Sequence, residues 1–270
     1  MSNTEHYSKV IETLTKLAES NDQIRCCFLF GSRAQATTYA DKWSDLDVAI
    51  ICKNPNLFID NEDWLKSFDK YIFAFKEAVS LGVGMQIRVL FENFFDVDFG
   101  FFSEDQFRTV LKDTRFYHGV IGRGIIKIID KDGLLDFVQT ANFLKRYYTP
   151  EINQDSLVNN VDDFLYHAIS CVKKLHKNEI LTAKDTLDSS MKNILMLFIR
   201  WYTMSKDKNI DTWHRNRHFE KWADIKIVNR LGNLYSIYNK YDIYEKVIVN
   251  VRCFEKFKIV LEWINENEPE

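Results

Sequence analysis

The sequence predicts an α+β fold in two parts: a first half that mixes strands and helices, and a second half that forms a helical bundle. Two observations predict it. The first half alternates short apolar runs, of the length of buried strands, with turn residues such as Gly and Asp. The second half carries apolar residues at three- and four-residue spacing with almost no Gly or Pro, which is typical of long helices. We expect two domains, residues 1–135 and 136–270.

The elements of each half follow from local patterns. Apolar residues recur at helical spacing over residues 5–19, which predicts a first helix. A further helix is predicted to open at Asn61, with Asn61 or Asp60 as its N-cap. Short apolar runs predict strands at residues 25–30, 46–52, 85–92, 97–102 and 125–129. Long amphipathic patterns predict helices at residues 155–177, 179–204, 221–240 and 242–266.

Composition excludes several classes of protein. With 36 Lys and Arg against 39 Asp and Glu, the net charge of -3 argues against a broad nucleic-acid-binding surface. A hydrophobic content of 46% is too high for a disordered chain. The sequence has no apolar stretch long enough to span a membrane, its first ten residues are polar, and its five cysteines form no CxxC pair. We therefore expect a cytoplasmic protein with reduced thiols and no nucleic-acid or membrane partner.

One pattern of residues points to chemistry. Gly31 and Ser32 follow a predicted strand, where a turn offers backbone N–H groups and a hydroxyl to phosphate oxygens. Asp45 and Asp47 lie two residues apart at the head of the next strand, so both carboxylates point to the same face. Two carboxylates at such a short distance repel each other unless a cation lies between them. A hard divalent metal ion is the natural occupant of a site with oxygen ligands. Asp98, on a later strand, could complete the site.

This pattern resembles the nucleotidyltransferase superfamily of DNA polymerase β, and within it the aminoglycoside 6-adenylyltransferases. The family's GSRA is matched by residues 31–34, and its DYD by Asp45-Leu46-Asp47. Further segments resemble its DWL, LFDD, IDLT and IDKD motifs and a segment of its helical half, at residues 63–65, 90–92, 97–99, 129–132 and 179–185. The likeness covers nearly the whole chain. It departs at residues 213–217, which replace a loop richer in Gly and Lys in some members.

The resemblance implies an N-terminal nucleotidyltransferase domain, with a mixed sheet flanked by helices, and a C-terminal helical domain that binds substrate and nucleotide. The implied reaction transfers AMP from ATP to a hydroxyl of an aminoglycoside, foremost streptomycin, and releases pyrophosphate. Asp45 and Asp47 are implied to hold one or two Mg²⁺ ions against the triphosphate. Asp98 is implied to bind the second metal, to act as the general base, or both. The protein would be a monomer or a homodimer.

The resemblance also nominates residues that contact the two substrates. Ser32, in the turn that Gly31 opens, would hydrogen-bond a terminal phosphate, and Arg33 could pair with the same phosphate or serve a structural role. In the helical half, Lys192 and Arg217 are the candidate contacts to the triphosphate. A cationic acceptor favours carboxylates, so Asp163, which matches an acid in the family, is the candidate on the acceptor side. Tyr166 is a further candidate, as an aromatic platform for the ligand.

Other functions remain open at this point. The same chemistry could act on a lincosamide, another metabolite or a protein side chain. The chain could also be a non-catalytic member that binds nucleotide, although all three carboxylates and Gly31-Ser32 are intact.

Overall fold

The computed structural model describes residues 3–35, 40–79, 82–92, 94–113, 117, 119–136, 154–207, 209–212 and 216–252. The chain divides into two compact units, Met1–Tyr148 and Thr149–Glu270. The first unit contains a β-sheet with helices, and the described part of the second is helical. This confirms the predicted α+β class. The predicted domain boundary after residue 135 stays a prediction.

The first unit is built on a mixed sheet of six strands. The strands are β1 (Ile24–Phe30), β2 (Leu46–Cys52), β3 (Tyr71–Ala78), β4 (Met85–Phe91), β5 (Asp96–Phe102) and β6 (Ile126–Asp130). Their order across the sheet is β3-β4-β5-β2-β1-β6. β2 and β5 are parallel and every other neighbouring pair is antiparallel. The five predicted strands are confirmed within one residue at each end. The apolar runs of β1, β2 and β5 are continuous, as expected for strands that are buried on both faces, whereas β4 alternates buried and half-buried side chains.

Strand β3 lies at the edge of the sheet and is missing from the predicted elements. Its inward side chains Tyr71 and Ala74 pack against the core, while most of the others are exposed. A signal for this strand was present, because residues 71–75 form an apolar run rich in residues that favour strands.

One face of the sheet is covered by the first helix, α1 (Asn3–Ser20). Its residues Val10, Leu14 and Ala18 recur at helical spacing and are buried against strand side chains such as Leu46 and Val97. The predicted helix at 5–19 is thereby confirmed. Burial of this stripe anchors α1 beside the head of β2, where two of the candidate acids lie.

The prediction of a helix that opens at Asn61 is wrong. The structure has a short helix α2 (Asn56–Ile59) and a single 3₁₀ turn, Asp63–Ser67, with Glu62 at the N-cap position. The Trp64 indole donates a hydrogen bond to the carbonyl of Phe58 and packs edge-on against Phe99, so the chain is tied down within one turn.

The other face of the sheet carries a second core cluster of the described residues. Helix α3 (Glu104–Lys112) packs Phe107 and Val110 against one part of it. The sequence analysis missed α3, although Ser103 and Gln106 form a capping box, in which each side chain bonds the backbone N–H of the other. The part of this face around Asp47 and Asp98 does not belong to that core.

The described helices of the second unit enclose their own core. They are α4 (Gln154–His176), α5 (Ile180–Asp185), α6 (Lys192–Lys206), α7 (Phe219–Trp222), α8 (Ile225–Leu231) and α9 (Lys240–Val251). A π-helical segment, Thr186–Met191, joins α5 to α6. The core holds inward side chains of α4, α6 and α9 such as Phe164, Leu195 and Val247.

The predicted helices at 155–177 and 179–204 are confirmed, the second with the π-helical segment inside it. The helix predicted at 221–240 is wrong, because the chain breaks at Ala223 and Asp224 caps a new helix through the backbone N–H of Lys226. The helix predicted at 242–266 begins earlier, at Lys240, and residues beyond 252 lie outside the described residues.

Within the described residues, no helix combines the length and the apolarity that a membrane span requires. Cys26, Cys27, Cys52 and Cys171 are buried free thiols. Cys253 lies outside the described residues.

Candidate active site

Three carboxylates meet at the head of two adjacent parallel strands. Asp45 immediately precedes β2, Asp47 lies in β2, and Asp98 lies directly opposite Asp47 in β5. Each offers an oxygen, and these oxygens all lie within 4.8 Å of one another. Directly opposite residues share a face of the sheet, so the register brings the predicted acids together.

Gly31 closes the site from the end of β1. Its φ of +71° is a left-handed conformation that favours glycine. A Cβ atom built on Gly31 would lie 1.9 Å from Oδ2 of Asp47. Only glycine therefore lets the turn approach this carboxylate.

Ser32 follows Gly31, and its predicted contact with a phosphate stays a prediction. It lies in the 3₁₀ turn Gly31–Arg33 and is only 5% exposed. Its Oγ has no hydrogen-bond partner among the described residues. Because a buried hydroxyl without a partner is costly, a missing ligand oxygen is a reasonable explanation.

Arg33 fastens the loop that leads into Asp45. Its Nε lies 3.2 Å from the carbonyl oxygen of Ser44 and 3.0 Å from that of Asp45, and its Nη2 donates to the carbonyls of Ser44 and Asp41. The guanidinium carbon lies 3.6 Å from the centre of the Tyr7 ring, and the Tyr7 hydroxyl also donates to the Ser44 carbonyl. Of the two roles the sequence left open, this geometry supports the structural one. A contact between Arg33 and a phosphate stays a prediction.

Arg88 links the acids to the edge of the sheet. It lies in β4 directly opposite Asp98, and its Nη2 is 3.2 Å from Oδ2 of that carboxylate. Its Nε is 2.9 Å from Oε2 of Glu77 in β3, an ion pair without a hydrogen bond from this nitrogen, whereas the amide of Gln86 donates a hydrogen bond to the same oxygen. A chain of charged groups therefore runs across three strands and orients Asp98 from the side away from Asp47.

The environment of Asp98 raises its pKa to about 6, chiefly because burial penalises the charged carboxylate. The neighbouring charge of Arg88 opposes that rise, whereas Asp45, Asp96 and Glu77 add to it. The pKa of Asp96 is also raised, first by burial and then by Asp45. Crowded carboxylates with raised pKa values favour the binding of a cation.

The candidates from the helical half lie in the second unit. Asp163 and Tyr166 are neighbours on an exposed side of α4, where Tyr166 is 69% exposed and Oδ1 of Asp163 lies 3.3 Å from Nε2 of His167. Arg217 is exposed, and its carbonyl accepts a hydrogen bond from the indole of Trp222. Their roles toward substrate stay predictions, and residues 213–215 of the loop before Arg217 lie outside the described residues.

Lys192, the candidate contact to the triphosphate in the helical half, is buried. It is only 3% exposed, and its ammonium donates to Oδ1 of Asn250 at 3.1 Å and to the carbonyl of Leu187 at 3.4 Å. These bonds describe a lysine that ties α6 to α9 inside the helical core. Its contact with a triphosphate stays a prediction.

The sequence analysis did not assign Arg88, Glu77 or Tyr7 to the site. A signal for Arg88 was present, since Gln86, Arg88 and Leu90 alternate with the buried Ile87, Val89 and Phe91. That alternation indicates a strand with one open face. The partners of this face could not be read, because they depend on strand order.

The site has the features that a divalent cation and a phosphate require. Its ligand set consists of carboxylate oxygens only, which suits a hard cation such as Mg²⁺. Glycine at position 31 leaves space beside Asp47, which gives room for phosphate oxygens. The Ser32 hydroxyl, which has no partner among the described residues, could donate a hydrogen bond to one of these oxygens. The residues present therefore fit the cofactor and co-substrate expected from the sequence.

Comparison with known proteins gives consistent relatives. A family model described as streptomycin adenylyltransferase matches residues 4–262. An aminoglycoside 6-adenylyltransferase of Bacillus subtilis (strain 168) is 22% identical over 275 residues, covering 97% of this chain and 92% of that protein. One from Staphylococcus aureus is 22% identical over 201 residues, covering 72% of this chain and 68% of that protein. A crystal structure of an aminoglycoside 6-adenyltransferase from Bacillus subtilis is 18% identical, covers 98% of this chain and 92% of that chain, and has a TM-score of 0.39.

Proposed function

Because the chain belongs to the streptomycin adenylyltransferase family, we propose that it transfers AMP from ATP to a hydroxyl group of an aminoglycoside, foremost streptomycin. The proposal includes dependence on Mg²⁺ and release of pyrophosphate. The observation that carries it is the cluster of Asp45, Asp47 and Asp98, whose oxygens lie within 4.8 Å of one another beside the turn at Gly31.

The carboxylates, Ser32 and Arg33 have separate tasks in this mechanism. Asp45 and Asp47 would hold the cation, which would offset the charge that develops on the triphosphate during transfer. Ser32 donates its hydroxyl hydrogen to a phosphate oxygen, and the turn at Gly31 lets the triphosphate lie close to the backbone. Arg33 keeps Asp45 in position through the loop carbonyls that it holds.

Asp98 is proposed to receive the proton of the acceptor hydroxyl. The hydroxyl oxygen forms a bond to the α-phosphorus, the bond between the α-phosphorus and the bridging oxygen breaks, and pyrophosphate leaves. Asp98 differs from the other two acids in that Arg88 orients it from the neighbouring strand. Positioning of the two reactants in line supplies most of the rate enhancement in such a reaction.

In this proposal the first unit carries the chemistry, and the helical unit contributes substrate contacts through Asp163, Tyr166, Lys192 and Arg217. A monomer or a homodimer is equally compatible with the proposed chemistry.

The proposed function is tested by an assay of the purified protein with ATP and Mg²⁺ against streptomycin, spectinomycin, kanamycin and lincomycin. We expect pyrophosphate release and an AMP adduct with streptomycin. Adduct formation with lincomycin alone would replace the aminoglycoside by a lincosamide. Binding of nucleotide and metal without turnover on any acceptor would indicate a non-catalytic protein. Asp98→Asn should abolish turnover in a folded protein, and full activity of that variant would contradict the site assignment.

A further inference from the structure

A row of side chains crosses the open face of the sheet from the acids to its edge. Asp47 in β2, Asp98 in β5, Arg88 in β4 and Phe75 in β3 are directly opposite one another in consecutive strands. They therefore share a face. With strands about 4.8 Å apart, the backbone at Phe75 lies roughly 10 Å from that at Asp98. A ligand of one or two sugar rings spans this distance.

The outer end of the row is aromatic. Phe73 and Phe75 are 50% and 46% exposed, and their ring centres lie 6.4 Å apart. Between them Ala74 turns inward to the core, so the strand is held in place while its two phenyl rings remain in solvent. Two adjacent exposed aromatic rings beside a catalytic cluster are more than the scattered exposed apolar residues of an ordinary surface.

One acidic group lies beside the two rings on the same strand, and another lies on the same face two strands away. Glu77 follows Phe75 on the same side of β3, and its side chain is 48% exposed. Asp96 lies opposite Leu90, which in turn lies opposite Phe73. Arg88 is paired with Glu77 and Asp98, so the charges around the rings sum to a negative value once Asp96 is included. This surface suits a ligand that is both cationic and partly apolar.

We propose that Phe73 and Phe75, with Glu77 on the same strand and Asp96 two strands away, form the subsite that binds the amino-sugar ring of the acceptor next to its reacting hydroxyl. This inference rests on the proposed function and names a part of the same site. The apolar face of the ring and its cationic substituents lie over the phenyl rings, which attract cations through their π-faces. The reacting hydroxyl of the acceptor then lies near Asp98, on the far side of Arg88 from the phenyl rings.

The test compares full-length wild-type protein with Phe75→Ser and with the double variant Phe73→Ser/Phe75→Ser, using streptomycin as the probe. We expect KM for streptomycin to rise about 2- to 30-fold in each variant, the loss of a cation–π contact of ordinary strength. KM for ATP should stay unchanged. The dissociation constant of streptomycin, measured by calorimetry without nucleotide and in the presence of EDTA, should rise by the same factor. Phe75→Tyr, which keeps the ring, should restore binding.

Ile126→Ser is the matched control, because Ile126 is 47% exposed on β6 at the opposite edge of the same sheet. It should bind streptomycin like the wild type. Equal KM and dissociation constants in the wild type and the phenylalanine variants would overturn the subsite. A change from dimer to monomer in the variants, with unchanged streptomycin binding, would also overturn it and make this edge an interface between two copies. Absence of wild-type turnover on every acceptor would instead refute the proposed function, so the two failures are distinguishable.

Discussion

At the scale of single residues, the site depends on contacts that tolerate little change. Gly31 lies against the carboxylate of Asp47 with a left-handed backbone, and Ser32 is buried without a partner among the described residues. Asp98 is buried among other acids and balanced by one arginine. Each of these residues is held in an arrangement that is unfavourable for stability, namely a left-handed backbone, a buried hydroxyl without a partner or a buried carboxylate. Such arrangements are common at active sites, where they serve binding or catalysis.

Gly31→Ala should remove most of the activity. The methyl group would overlap Oδ2 of Asp47 and displace this carboxylate, and an error of about 1 Å in a catalytic group costs about 100-fold in kcat. Gly82→Ala is the matched control, because Gly82 has a similar φ of +69° but no atom within 4 Å of an added Cβ. Steady-state kinetics should show a large loss for Gly31→Ala only. Equal losses in both variants would point to backbone strain instead of displacement of Asp47.

Asp98 should lower the stability of the metal-free protein at neutral pH. Since its pKa is raised to about 6, the carboxyl favours folding while it is protonated, and this contribution is lost as the pH rises through 6. Asp98→Asn stays neutral at every pH. It should therefore raise the free energy of unfolding in EDTA at pH 8 by about 1 to 3 kcal/mol, and the difference should shrink toward pH 4.

Urea unfolding at both pH values measures this difference. A variant that is less stable than the wild type at pH 8 would mean that the ion pair with Arg88 outweighs the cost of burying the charge.

At the scale of elements, the loop between the turn and β2 is held by the side chain of Arg33. That side chain reaches the carbonyls of Asp41, Ser44 and Asp45 and lies over the ring of Tyr7 in α1. The burial of α1 against the sheet therefore helps to fix the first metal-binding carboxylate. Local pattern could not show this, because the contacts join three separate elements.

Arg33→Lys should weaken catalysis through Asp45. Lysine keeps the charge but cannot reproduce the planar fork that holds several carbonyls at once. We expect kcat to fall about 10- to 100-fold, a loss in the range for a slightly misplaced catalytic group, and Mn²⁺ to bind more weakly in calorimetry. Arg108→Lys, which alters an exposed ion pair with Glu104 on α3, should behave like the wild type. Unchanged Mn²⁺ binding in Arg33→Lys would contradict the positioning role.

At the scale of the whole molecule, the sheet separates support from chemistry. Among the described residues of the first unit, α1 packs on one face, and α3 packs on part of the other face, which also carries the acids and Phe75. The helical unit has its own core. All three acids of the cluster belong to the first unit. A metal ion that binds them only in the folded protein should therefore raise its stability as well as support its activity.

Mg²⁺ should stabilise the protein against unfolding by mass action. At a concentration about 100 times its dissociation constant, a ligand that binds only the folded state adds about 2.7 kcal/mol. A thermal shift should accompany the addition of Mg²⁺, and EDTA should reverse it together with the activity. Asp47→Asn should abolish the shift, whereas Glu12→Gln, on the exposed side of α1, should keep it. A shift that persists in Asp47→Asn would mean that the metal binds elsewhere.

The buried strands, the first helix and the identity of the acids follow from local patterns in the sequence. β1, β2 and β5 are buried on both faces, so their continuous apolar runs are local signals, and the spacing of Asp45 and Asp47 fixes their common side. Three relations depend on the folded sheet: Asp98 lies opposite Asp47, Arg88 faces Asp98, and the edge strand β3 brings Phe75 into the same row. Strand order and register are set by contacts between distant parts of the chain, and periodicity within one segment carries no information about them.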